Sequence, residues 1–116
     1  MIVEQRTYTY QPDRTGDFLS LYEAEGMEVQ LRHLANMVGY YVTEIGVLNR
    51  TVTMWGYEDL ADRDRRRRAL FENPAWIAFL AKARPLILTQ ETTVLRPAPF
   101  FSNTLKQMLR AQGTPS

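Results

Sequence analysis

The densest set of chemically capable side chains in the sequence is the run Asp62-Arg63-Asp64-Arg65-Arg66-Arg67-Arg68. At helical spacing, Asp62 to Arg66 and Asp64 to Arg68 are i,i+4 pairs worth about 0.3 kcal/mol each, so much of the run reads as a solvated helix face. Counting from Leu60 toward Leu70, however, Arg63, Asp64 and Arg67 share the apolar stripe, whereas Arg65, Arg66 and Arg68 fall to the side or outside. An inward guanidinium needs a partner, and Glu4, Glu44 and Glu91 are the carboxylates on strand-like segments that can meet it. The run therefore supports two readings, a structural ion-pair network or a pocket in which Arg63 and Arg67 hold an anion.

A second polar set lies near the start of the chain. Glu4, Arg6 and Tyr8 alternate along one face of a strand-like segment, where a core or interface is expected, and Arg6 can supply the donor that a buried tyrosine hydroxyl needs. Tyr8, Tyr40, Trp55, Tyr57 and Trp76 are able to line a pocket for a flat molecule, although aromatic residues at strand and helix spacing also serve as core and interface. His33, the single imidazole, sits where a helix C-terminus favours its cationic form; general-base work is the other reading. The chemistry within reach is binding of an aromatic or carbonyl compound that carries an anionic group. The candidate ligand-binding residues are Arg6, Tyr8, Tyr40, Trp55, Arg63, Arg67 and Trp76.

Composition removes other classes. No cysteine and one histidine leave no thiolate nucleophile, no disulfide framework and no metal site. No glycine-rich phosphate loop and no Ser-His-Asp order is present, so no cofactor is expected. Fourteen basic against thirteen acidic residues give a net charge of +1, and the interleaved aspartates cancel the field that nucleic acid would need. No stretch has the ~18 apolar residues of a membrane span. The chain's 116 residues suit one domain with one core.

The elements that must position these residues follow from local pattern. Residues 2 to 10, rich in Val, Thr and Tyr, predict a strand that stops at Pro12. Thr15 is the expected N-cap of a helix that Gly26 breaks and that ends near Asn36. Met37 to Ile45 and Thr51 to Glu58 predict an antiparallel pair joined through a loop beginning at Gly46. Asp59 or Asp62 caps the arginine-bearing helix, Asn73-Pro74 restarts it as a second piece carrying Trp76, Ile77, Phe79, Leu80 and Ala83, and Ile87 to Leu95 form the last strand. The order is βαββαβ, which predicts an α+β, ferredoxin-like protomer: an antiparallel sheet with its helices on one face. With Tyr8, Tyr40, Tyr41, Val42, Met54, Trp55 and Tyr57 on its strands, the bare face is expected to be closed by a homodimer. Residues 102–116 form a tail with Leu105, Met108 and Leu109 at helical spacing, read as a short docking helix or a frayed end.

Six segments, EQRTYTYQP, LYEAEGM, MVGYYVTEIGVLN, TMWGYEDLADRDRRRRAL, NPAW and RPAPF, resemble the NIPSNAP family of the dimeric α/β-barrel superfamily in their order and spacing. The likeness spans about residues 2 to 101, so that 1–101 are expected as the NIPSNAP-like ferredoxin-fold domain, with the tail outside it. It implies a homodimer in which two sheets pack into a dimeric α/β-barrel, with a ligand cavity between sheet and helices. It also implies kinship with cofactor-free monooxygenases and isomerases. Members often carry histidine where this chain has Thr53, which lowers the expectation of proton-transfer catalysis here. A chain that opens on its first strand, where mitochondrial members carry a presequence, implies a bacterial, cytoplasmic protein. Two functions compete on this sequence: a small-molecule-binding homodimer, which includes a cofactor-independent enzyme, and a non-catalytic protein-interaction module docking through the Arg-rich helix and the tail.

Overall fold

The computed structural model describes residues 1–113, in the order β1 (Ile2–Tyr10), α1 (Thr15–Leu21), α2 (Met27–Leu34), β2 (Met37–Val42), β3 (Arg50–Tyr57), α3 (Leu60–Glu72), α4 (Pro74–Ala83), β4 (Ile87–Leu95) and α5 (Ser102–Gly113). The four strands form one antiparallel sheet in the order β2-β3-β1-β4, the ferredoxin-like arrangement. Register decides which side chain meets which layer. Glu4 pairs with Trp55 and Val94, Arg6 with Thr53 and Thr92, and Tyr8 with Thr51 and Gln90, so these residues share one face. That face lies under α1 to α4, where Tyr10, Trp55 and Tyr57 join Phe18, Tyr22, Val29, Leu34, Leu70, Trp76, Phe79 and Ala83 in a buried core.

This register corrects the expected composition of the other face. Tyr8, Tyr40, Trp55 and Tyr57 belong to the helix-side core or pack against it. The open face instead carries Val3, Gln5, Thr7 and Thr9 from β1, partnered by Val52 and Met54 from β3 and by Thr89, Glu91, Thr93 and Leu95 from β4. α5 packs against one end of it. Leu105 and Leu109 are buried, and a Cβ on Gly56 would come 2.7 Å from Leu109 Cδ2, so glycine in β3 leaves the notch that seats the helix. Residues 114–116 of the tail lie outside the described residues. β4 is one edge of the sheet, β2 the other, and all but the first residue of β4 are exposed.

Three local expectations need correction. Thr15 is the first residue of α1, preceded by Arg14, and its hydroxyl caps nothing. Gly26 does not break the helix: Tyr22–Gly26 form a π-helical turn that passes directly into α2, and the glycine holds φ −115°. Its role is close approach, since an added Cβ would meet the Phe79 ring at 3.0 Å. The helix ends where Ala35 turns to φ 66°. β2 stops at Val42 rather than Ile45, because the connection is longer than a tight hairpin and turns through Gly46 at φ 130° and Asn49 at φ 58°. Asp59 and Asn73 cap α3 and α4 through the Asp62 and Ala75 amides.

Candidate functional site

Glu4 is fully buried in the central strand, and three guanidiniums surround it. Arg63 meets it end-on: Nε donates to Glu4 Oε2 at 2.7 Å and Nη2 reaches the same oxygen, while Nη1 donates to Asp64 at 3.1 Å. Arg6 stands 3.7 Å from Oε2 but spends its donors elsewhere, with Nε and Nη2 at 3.2 and 2.9 Å from Tyr8 Oη and Nη1 at 3.3 Å from Thr92 Oγ1. Arg67 is 3.8 Å from Glu4 Oε1, beyond hydrogen-bond reach, and lies over the Phe71 ring with Cζ 5.2 Å from its centroid. Of the carboxylates open to the arginines, Glu4 is the partner; Glu44 and Glu91 are exposed.

The arginine helix is rotated relative to the expected stripe. Asp62 is buried and Asp64 exposed, and Arg66 is half-buried, because the inward line runs back from Leu70 through Arg66 and Arg67 to Asp62 and Arg63. Leu60, expected at the start of the inward stripe, is exposed. Asp62 accepts from the Glu58 amide at 3.0 Å, Arg65 at 3.0 Å and Arg66 at 2.9 Å, and Arg66 also reaches the His33 carbonyl at 3.3 Å, tying α3 to the end of α2. Burial works against the Asp62 carboxylate, but the Glu58 amide and Arg66 outweigh it and hold its pKa below the ordinary value. His33 Nε2 lies 3.1 Å from Asn73 Nδ2, joining α2 to the α3–α4 junction.

Charge at Arg63 and Arg67 is treated oppositely. Burial disfavours the Arg63 cation, yet the Glu4 hydrogen bond and charge raise its pKa. At Arg67 burial lowers the pKa, Arg6 adds repulsion, and the attraction of Glu4 does not compensate. Arg67 makes no hydrogen bond to any described residue and faces a small cavity of about 60 Å³, shared with Arg6, Tyr8, Gln30, Trp76 and Gln90. An adjoining space of about 30 Å³ continues beneath Phe18, Tyr22, Tyr40, Thr53 and Phe79. Trp76 lines both, and its buried Nε1 has no hydrogen-bond partner among the described residues. Tyr57 Oη and Glu4 Oε1 are likewise buried without one, and burial, reinforced by the Glu4 charge, pushes the Tyr57 hydroxyl up to about 12.

Of the seven sequence candidates, Arg6, Tyr8, Tyr40, Arg67 and Trp76 line these two adjoining spaces. Arg63 is consumed by Glu4 and Asp64, and Trp55 is completely buried in the core; neither lines them. Sequence reasoning missed Tyr22, Gln30 and Gln90. Tyr22 donates to Gln30 Oε1 at 2.5 Å, a pair eight residues apart that spans the π turn. A period-2 reading of β4 in register with β1 would have found Gln90.

The architecture is an α+β, ferredoxin-like sheet with an aromatic, cation-edged cavity between sheet and helices. The chain belongs to the NIPSNAP family, whose model matches residues 3–102. A crystal structure of a NIPSNAP family protein from Agrobacterium tumefaciens is 40% identical, with TM-score 0.84, covering 86% of this chain and 90% of that one. A NipSnap homolog of Dictyostelium discoideum is 29% identical over 94 residues, 81% of this chain and 41% of that protein, so the chain spans about two fifths of this relative. The fold alone extends to a putative antibiotic biosynthesis monooxygenase from Nitrosomonas europaea, at 15% identity and TM-score 0.62 over 84% of this chain and 98% of that one. Among the described residues, no helix is long and apolar enough to cross a membrane.

Proposed function

We propose that this protein is a homodimer that binds a small aromatic or carbonyl compound between its sheet and helices, with the ligand's anionic group on Arg67. The observation that carries the reading is Arg67 itself: a desolvated cation with no hydrogen bond to any described residue, beside Trp76 Nε1, which also lacks a partner among them, on one cavity. A carboxylate there accepts from both, while its ring or carbonyl lies against Tyr22, Tyr40 and Phe79. Arg63 has no such role, because Glu4 and Asp64 occupy it.

The lining holds no carboxylate and no imidazole, and burial keeps the Tyr22 and Tyr40 hydroxyls protonated. These groups bind and orient. A cofactor-independent monooxygenase- or isomerase-like reaction is compatible with them for a substrate that loses its proton to water and binds as the enolate, with molecular oxygen as the oxidant in the oxygenation. The inward Arg6 and Arg67 favour ligand binding over a module that only docks a protein, which has no use for interior cations. The dimer reading is supported by Tyr41, Leu95 and Phe101, which stay exposed on the open side.

Benzoate, with benzyl alcohol as the uncharged control, tests the site through tryptophan fluorescence. Benzoate is expected to bind saturably and Arg67→Met to weaken it by about tenfold, the loss of one charge-assisted contact. Absence of saturable binding, or equal binding by Arg67→Met, overturns the reading. Sedimentation equilibrium at micromolar concentration checks the assembly, and a monomer throughout that range removes the dimer.

A further inference from the structure

The helix-side cavity has a third arginine at its edge. Trp76, Leu80 and Arg84 recur every fourth residue along α4 and the turn that follows it, so they descend one side of the helix, and all three line the space that Arg67 faces. Trp76 is buried, Leu80 half-buried and Arg84 exposed, so this line runs from the interior to the mouth. The Arg84 guanidinium makes no hydrogen bond or ion pair with any described residue. Charge in the lining is one-sided: Arg6, Arg67 and Arg84 bring cations, and no described carboxylate joins them. Glu4, buried behind, is engaged by Arg63, and Arg6 spends its donors on the neutral oxygens of Tyr8 and Thr92. A single bound carboxylate on Arg67 therefore leaves Arg84 unanswered.

We infer that the compound this cavity takes is a dianion, a flat dicarboxylate with both acid groups on one edge: one carboxylate on Arg67, the second on Arg84 at the mouth, and the ring directed inward. The inference rests on the reading of this cavity as a ligand site and narrows its substrate class. Arg67 and Arg84 line the outer space alone, whereas Phe18, Tyr22, Tyr40 and Thr53 line only the inner one, so the two acids sit on the same side of the ring. An acid on the far side of the ring would be driven among aromatic side chains, where it loses hydration without gaining a cation of its own. Because Arg84 is exposed, the second acid asks for no further enclosed volume.

Titration of the full-length protein with benzoate, phthalate, isophthalate and terephthalate tests the proposal. The better of phthalate and isophthalate is expected to bind about three- to fivefold tighter than benzoate, a modest gain because Arg84 is solvated. Terephthalate, with the same charge in the wrong place, should bind no tighter than benzoate. Arg84→Gln should bring the favoured dicarboxylate down to the affinity of benzoate, with circular dichroism confirming the fold. Saturable benzoate binding without a gain for phthalate or isophthalate overturns the dicarboxylate and leaves the ligand site standing; no binding by any of the four removes both. A gain shared by terephthalate, or one that survives in Arg84→Gln, also overturns it. Phenyl phosphate carries both charges on one group, and if it binds more tightly than either favoured dicarboxylate and loses that advantage in Arg84→Gln, the dianion is a phosphate and the dicarboxylate is refuted.

Discussion

The same strand, β1, sends Glu4, Arg6, Tyr8 and Tyr10 to one side and Val3, Gln5, Thr7 and Thr9 to the other, and the two sides reach different packing states. On the helix side, three arginines, one buried glutamate and a stack of aromatic rings leave only small residual spaces. On the open side, a single added helix bridges part of a face rich in threonine and leaves about 340 Å³ beneath it. The lesson concerns where stability is held. The helix-side network ties β1 to α3 across 59 residues of sequence, so breaking it threatens the whole fold. α5 rests on a few apolar anchors of its own, Leu105 and Leu109, so we expect it to open locally.

The strongest way to break this contrast is Arg63→Ala, which strands a fully buried carboxylate. We expect a loss of about 3 kcal/mol, at the low end for a broken buried pair because Arg6 and Arg67 remain near Glu4. The solvated Arg65→Ala and Arg68→Ala should stay within about 0.5 kcal/mol. Denaturant melts separate the two outcomes, and equal, negligible changes at all three positions would reduce α3 to a solvated surface.

Next in size is Leu105→Ala, which removes an α5 anchor. It should cost about 2 kcal/mol of local protection, the low end for a buried leucine beside existing open space. Hydrogen exchange at α5 amides would record this loss while the global melt moves little. Equal losses by both measurements would mean that α5 and the sheet unfold as one unit.

The smallest effect is expected from Tyr57→Phe, which sharpens the picture of the helix side by deleting a hydroxyl that has no partner. Stability at neutral pH should change by no more than about 0.5 kcal/mol. The Tyr57 pKa is raised, so its neutral form contributes fully below the unfolded value near ~10 and the contribution fades as pH rises toward about 12. The variant should therefore lose stability less steeply over that window, by up to about 1.4 kcal/mol per pH unit. Unchanged slopes in alkaline urea melts would show that Tyr57 ionises no differently when folded.

Most of the fold was legible in local chemistry. β4 was read over its full length from Ile87 to Leu95, and the Asn73-Pro74 restart of the second helical piece is encoded by one capping side chain and one fixed φ. What was lost depended on contacts distant in sequence. Leu60 looked like a core residue by type, yet the phase of α3 is set by Leu70 and by Asp62 binding the Glu58 amide, a polar anchor that hydrophobic counting ignores. Gly26 signalled a departure from regular helix, but the Phe79 ring of α4 that lies against the π turn it closes is a contact distant in sequence. Glu4, Arg6 and Tyr8 were identifiable as a misplaced polar set; that Arg63 rather than Arg67 would claim the carboxylate required the rotation of α3.

β4 has a further consequence, for how the protein behaves at high concentration. Its nine residues present an outer row of amide and carbonyl groups at the sheet's border, with no proline and with Glu91 as the sole ionised side chain. Natural border strands resist templated growth through charge, proline or brevity, and this one relies on a single carboxylate. Crowding at high concentration therefore presents copies with a border on which they can pair strand to strand, the first step of edge-to-edge fibre assembly.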